Sequence, residues 1–153
     1  MEIEKRLEEL NIKLPPCPPP AAVYVSAVLS DDFVFVAGQT PKDGTELIYK
    51  GKVGRDLSVQ DGYNAARVCV LRSISAIKSI IGDLDKIERI VKVTGYVNCC
   101  DDFEKHPLVI NGASELLEKV FGERGKHARV AVGTNSLPGN AAVEVEIIVK
   151  VNR

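Results

Sequence analysis

The chemically richest pattern in this 153-residue chain lies near its end, where Val143, Val145, Ile147, Val149 and Val151 alternate with Ala142, Glu144, Glu146, Ile148 and Lys150. Strict alternation marks a strand with one buried face, because successive side chains point to opposite sides. With the valine face turned inward, Glu144 and Glu146 project from the other side. A carboxylate that becomes covered there must be paired, protonated or working. In the preceding strand-like segment Val130 and Val132 share one parity and Arg129 and Ala131 the other, which is taken to place Arg129 on the face of Glu144. An arginine and a glutamate from neighbouring strands then meet at a boundary between subunits, with a structural interface ion pair as the plain alternative. By parity His127 shares the face of Arg129 and is read as a strand-entry residue at the cleft rim. His106, before Pro107, is read as an exposed helix-entry residue.

Metal chemistry finds little support. Cys17, Cys69, Cys99 and Cys100 show no two-residue separation of the zinc-knuckle or dithiol kind, and His106 and His127 alone cannot build a histidine-rich site. The cysteines are read as free thiols in a reducing compartment, with no metal or cofactor expected. The 20 Lys and Arg residues against 21 Asp and Glu leave a net charge of −1, and aromatic residues make up 5% of the chain. Binding through phosphate neutralisation needs a basic surface, so no nucleic-acid partner is expected. The apolar runs, such as Phe33 to Gly38, fall far below the roughly 18 to 20 residues that span a bilayer. Met1 to Leu10 is charged throughout, unlike a secretory signal. A cytoplasmic protein without membrane contact is expected.

The elements that must position these residues follow from periodicity. Ile3, Leu7 and Leu10 recur at helical spacing before the run Pro15-Pro16-Cys17-Pro18-Pro19-Pro20, giving a short amphipathic helix and a stiff linker over residues 1–20, ahead of a domain over 21–153. Strands are expected over Ala22 to Leu29, Asp32 to Gln39 and a short stretch near Ile48 to Lys50, with turns at Asp31-Asp32 and Lys42-Asp43-Gly44. Ser58-Val59-Gln60-Asp61 resembles a capping box, and Val59, Tyr63, Ala66, Val70, Ile74, Ile77 and Ile81 carry a helical stripe to Gly82. A strand over Ile87 to Val97 precedes Asp101-Asp102 as an N-cap and a helix from Leu108 to Phe121, ended by Gly122. Strands over Ala128 to Gly133 and Ala142 to Val151 close the chain. This order suits an α+β layer with both helices on one face of a mostly antiparallel or mixed sheet. Both parities of Phe33 to Gly38 are apolar, as in a strand buried on two sides. The second side needs a cover, and another copy of the chain in a closed homo-oligomer supplies it.

Several stretches together resemble the RidA family, also called YjgF or endoribonuclease L-PSP. They are Phe35-Val36-Ala37-Gly38-Gln39-Thr40-Pro41, Val91 to Val97, Asp102-Phe103, His127-Ala128-Arg129 and Val143-Glu144-Val145-Glu146, in this order, over the chain from about Ala22 onward. The resemblance implies a chorismate-mutase-like fold (bacillus type), a mixed sheet of about six strands with two helices on one face. It also implies a homotrimeric barrel with clefts between subunits. The implied activity is hydrolysis of reactive enamines and imines of the 2-aminoacrylate/2-iminopropanoate type to a 2-oxo acid and ammonia. By motif, Arg129 matches the arginine that grips the substrate carboxylate, and Glu144 the carboxylate that positions or activates water. Tyr24, Gly38 and Asn111 match substrate-binding positions, and Ala131 stands where many members have cysteine. Ala37 and Val130 likewise replace serines, which makes the implied pocket less polar. The competing functions are a non-catalytic trimer that binds small carboxylate metabolites and, more distantly, an endoribonuclease. The second fits poorly with a nearly neutral chain that has few aromatics.

Overall fold

A computed structural model of the chain describes residues 1–19 and 23–153. Its elements are α1 (Glu2–Glu9), β1 (Ala27–Ser30), β2 (Phe33–Val36), β3 (Lys42–Asp43), β4 (Glu46–Leu47), α2 (Val59–Ile81), β5 (Ile87–Asn98), α3 (His106–Phe121), β6 (Ala128–Thr134) and β7 (Val143–Val151). The main sheet has five strands in the order β1-β2-β7-β5-β6, and β3 and β4 form a separate hairpin. Only the β5–β6 pair is parallel. α2 and α3 pack together on one face, giving the expected mixed α+β layer with one main-sheet strand fewer than the six anticipated.

Local chemistry explains where these elements begin and end. The expected capping box starts α2: Asp61 N–H donates to Ser58 Oγ at 3.0 Å, while Ser58 N–H donates to the Asp61 carboxylate at 3.0 Å. α3 starts earlier than expected. Lys105 is its N-cap, not the Asp101-Asp102 pair, which lies in a turn closed by Phe103 N–H to the Cys100 carbonyl. Pro107 occupies the first turn, where its missing N–H costs nothing. α1 is bound to the domain, since its Glu2 and Ile3 N–H groups donate to the Asp85 carboxylate at 2.7 and 2.8 Å, and Ile3 and Leu7 are buried.

Two expected strands differ. The first begins at Ala27 instead of Ala22, which lies outside the described residues, as does the boundary expected at residues 20–21. Ile48 to Lys50 is not a strand beyond a single bridge from Lys50 to Ala141. The pairing falls instead on Lys42–Asp43 with Glu46–Leu47 around Gly44, whose φ of 62° permits the tight turn. The Arg72 guanidinium of α2 holds this hairpin by donating to the Lys42 and Gly44 carbonyls, both at 3.3 Å.

The core lies between the sheet and the helices. Val34, Val36, Val93, Val97, Val143, Val145, Ile147 and Val149 meet Ala66, Val70, Ile74, Ile110, Ala113 and Leu117 there. On the other face Val28 and Phe35 at one edge of the sheet and Val130 and Val132 at the opposite edge stay 39–49% exposed. No helix among the described residues is long and apolar enough to cross a membrane.

Candidate functional site

Register divides the residues singled out in the sequence between the two faces. In the β5–β7 ladder Glu144 pairs with Tyr96 and Glu146 with Thr94. In the β5–β6 ladder Tyr96 pairs with Val132, Thr94 with Val130, Val93 with Arg129 and Gly95 with Ala131. Paired residues share a face, so Glu144, Glu146, Tyr96, Val130 and Val132 lie on the open face. Arg129 and Ala131 lie on the helix side. This reverses the expected orientation of the Ala128–Gly133 strand and corrects the expectation that Arg129 and Glu144 meet from neighbouring strands. β5 stands between β6 and β7, and the two side chains leave the sheet in opposite directions.

The Arg129 half of the site is built on α3. Gly95 lets this helix approach closely, since a Cβ there would fall 2.5 Å from Ile110 Cδ1. Asn111 and Ser114, next on the helix, therefore reach over edge strand β6. Arg129 Nη1 donates to Asn111 Oδ1 at 2.9 Å and to Ser114 Oγ at 3.1 Å. Among the described residues no hydrogen bond occupies the rest of the guanidinium fork. The side chain is half-buried and lines an open cleft of about 310 Å³ with Asn111, Ser114, Glu118, Lys126 and His127. Such an anchored fork with one free edge can take a carboxylate bidentately. The sequence missed Ser114 and the partnership of His127 with it. The available signal was a pair of polar residues three apart, Asn111 and Ser114, between the buried positions Ile110, Ala113 and Leu117.

The Glu144 half lies across the sheet. Gln39 pairs with Val145, so the chain leaving β2 runs beside β7, and a Cβ on Gly38 would stand 3.1 Å from Glu144 Cδ and Oε2. Burial of the half-covered Glu144 carboxyl and the nearby Glu146 charge push its pKa above the ordinary carboxylate value. Tyr24 is exposed on the segment leading into β1. β1 and β6 are opposite edges of the sheet, four strand spacings or about 19 Å apart. A single chain thus brings together Arg129, Asn111 and Ala131 in one place and Gly38 and Glu144 in another. Among the described residues no cluster of His, Cys, Asp and Glu is arranged to hold a metal ion.

Known proteins place this architecture. The family model described as "YjgF/chorismate_mutase-like, putative endoribonuclease" matches residues 4–151, a span that includes most of α1. A Trypanosoma cruzi protein named TCP17 is 43% identical over 98% of this chain and 94% of its own length. A RutC family protein of Pyrococcus horikoshii is 34% identical over 86% of this chain and 89% of its own. Among solved structures, a protein with unknown function from Agrobacterium tumefaciens superposes with a TM-score of 0.91 at 42% identity, covering 98% of this chain and 92% of that one. A structure from Shewanella oneidensis described as "a putative endoribonuclease" gives a TM-score of 0.94 at 29% identity, covering 99% and 100%. With its family model spanning nearly all of the sequence and its relatives matching over most of their length, the chain belongs to the YjgF/RutC family with the chorismate-mutase-like fold.

Proposed function

We propose that the protein is a hydrolytic deaminase of enamine and imine intermediates derived from amino acids, working as a homotrimer whose sites lie between subunits. The observation that carries this reading is the Arg129 fork, fixed through Nη1 by Asn111 and Ser114 and free on its remaining edge, above an open cleft. A 2-imino acid carries the carboxylate that such a fork binds and an electrophilic carbon beside it. Water attack then needs orientation and a group to take a proton, and little else.

The separation of the half-sites supports the oligomer. Glu144 cannot act on a ligand held by Arg129 of its own chain, because the sheet stands between them, but Glu144 of one copy can face Arg129 of the next. The exposed apolar pairs Val28 with Phe35 at one edge of the open face and Val130 with Val132 at the other supply surface for that contact. At such a boundary burial and the neighbouring Glu146 charge make the Glu144 carboxyl take up a proton more readily than an exposed one.

Imine decay in a coupled reaction, in which a pyridoxal-phosphate-dependent dehydratase generates 2-aminoacrylate, tests the activity directly. Faster release of ammonia with the protein present is expected, and an unchanged rate refutes it. Glu144→Gln should keep ligand binding while slowing turnover by roughly 10² to 10⁴, the usual range for a positioned base. Glu146→Gln, about 7 Å further along the strand, should change turnover little. A binding-only trimer is the second reading, favoured by Ala131, an apolar residue two positions along β6 from Arg129 on the same face of the sheet. It gives pyruvate binding without ammonia release.

A further inference from the structure

Arg129 shares Ser114 with a second partner. Ser114 Oγ lies 2.9 Å from His127 Nε2, and His127 Nδ1 lies 2.7 Å from the Gly125 carbonyl oxygen. A carbonyl only accepts, so Nδ1 carries the proton, and in the neutral ring Nε2 is left as a bare acceptor. The Ser114 hydroxyl therefore donates to His127, and its lone pairs accept from Arg129 Nη1 at 3.1 Å. A base draws the proton from one side of this hydroxyl while a cation stabilises negative charge on its oxygen from the other.

We propose that Ser114 and His127 form a proton relay for the Arg129 cleft, passing the proton of the attacking water to His127 Nε2 while Arg129 holds the substrate carboxylate. The proposal rests on the imine-hydrolase reading above and adds a proton-handling pair contributed by the same chain as the arginine. In the step, the water oxygen, oriented by Glu144 of the neighbouring copy, bonds to the carbon of the protonated imine, and the C=N pair moves onto nitrogen. The water proton goes to Ser114 Oγ as the serine's own proton goes to His127 Nε2. The imidazolium returns a proton by the same route to the amine nitrogen. The C–N bond then breaks, ammonia leaves, and the hydroxyl proton is lost to solvent as the carbonyl forms.

The surroundings keep His127 ready to accept. Burial lowers its pKa below the ordinary histidine value, and the Arg129 charge adds to this against the opposing hydrogen bond to Gly125. The other charges acting on the ring are Glu118 of α3 and Arg89 of β5, while Lys126 on the cleft wall is paired with Glu123 at 2.8 Å, so among the described residues the two arginines outnumber the single carboxylate near the ring. The ring is consequently neutral at pH 7.

Ser114→Ala and His127→Gln test the relay through two measurements on the full chain, pyruvate binding by calorimetry and the pH profile of kcat for imine hydrolysis. His127→Gln should bind pyruvate nearly as the parent does, Ser114→Ala, which also removes one of the two anchors of Arg129, should weaken binding only several-fold, and in both kcat should fall further, by roughly 10², as for loss of a positioned acid–base group. The part of the fall in rate toward acid pH that comes from His127 protonation should disappear in His127→Gln, leaving the part that belongs to Glu144. Ser114→Thr, which keeps a hydroxyl, should retain most of the turnover. Parental kcat and pH profile in both variants overturn the relay and leave the imine reading intact. Equal losses of pyruvate binding and turnover also overturn it, because they mean that the pair merely holds Arg129 in place. A parent protein that releases no ammonia removes the imine reading and the relay together.

Discussion

Gly38→Ala probes Glu144 without touching its chemistry. Gly38 is not among the glycines with positive φ, so alanine brings no backbone strain there. Its new Cβ would stand 3.1 Å from Glu144 Cδ, 3.1 Å from Oε2 and 3.3 Å from Cγ. Comfortable contacts between such atoms are about 3.5 to 4.0 Å, so the carboxylate must withdraw by about half an ångström. The obstructing atoms end a flexible, half-buried side chain, and the withdrawal should cost less than about 1 kcal/mol of stability. Gly112→Ala gives the contrast. There the Cβ would lie 2.0 Å from the Tyr63 carbonyl oxygen, which belongs to the backbone of α2 and cannot rotate away. That variant should lose about 1 to 3 kcal/mol or more by overpacking. A catalytic group misplaced by 1 Å costs on the order of 10² in rate. Half of that displacement should slow imine hydrolysis by about tenfold while thermal denaturation stays close to the parent. Parental kcat in Gly38→Ala would mean that the position of Glu144 does not matter to turnover. A stability loss as large as that of Gly112→Ala would mean that the side chain is not free to move.

Further outcomes test the remaining assignments. Arg129→Ala should weaken pyruvate binding by about 1.5 to 3 kcal/mol, the contribution of hydrogen bonds to a charged group, and Arg129→Lys should recover only part of it because a point charge lacks the fork; unchanged calorimetric affinity in a folded protein refutes the clamp. Light scattering should find the parent trimeric at micromolar concentration and Phe35→Asp monomeric, because an unpaired charge would be buried in the proposed subunit contact; a monomeric parent sinks the inter-subunit site. Because the folded-state pKa of His127 is lowered, the unfolded chain binds the extra proton first. Its stabilising contribution is complete above the unfolded value of about 6.5 and is lost as pH falls through the folded value. Urea unfolding at pH 7.5 and pH 5 should show a loss that is smaller in His127→Gln, and an identical loss in both proteins refutes the neutral-ring assignment.

Periodicity recovered the helices of this fold with little error because their ends carry chemistry of their own. Ser58 and Asp61 cap α2, and Gly82 and Gly122 end α2 and α3 with positive φ. The start of α3 was misplaced because Asp101 and Asp102 resemble caps in type but sit in a turn, and only the backbone bond from Phe103 to Cys100 distinguishes the two. The short hairpin was misplaced because its position depends on Arg72, a residue some thirty positions away.

Strand β6 was harder for a different reason. Alternation states that Val130 and Val132 share one face and Arg129 and Ala131 the other, but not which face meets the core. In β7, flanked on both sides, the valine face is the buried one. On the edge strand β6 the rule reverses, because the helix side is met there by Asn111 and Ser114, whereas the valines turn to the open face of the sheet. The motif resemblance could name Arg129 and Glu144 together without revealing that one chain keeps them on opposite sides of its sheet. The period of two also ties the two halves of the proposed function to one register. The pairing of Val93 with Arg129 that turns the guanidinium toward α3 is the pairing that turns Val130 and Val132 toward a neighbouring copy. A slip of one residue would exchange them, burying the valines under the helix and sending Arg129 onto the open face. Cleft and subunit contact are therefore alternate side chains of the same strand, and a substitution that shifts its register should remove both at once.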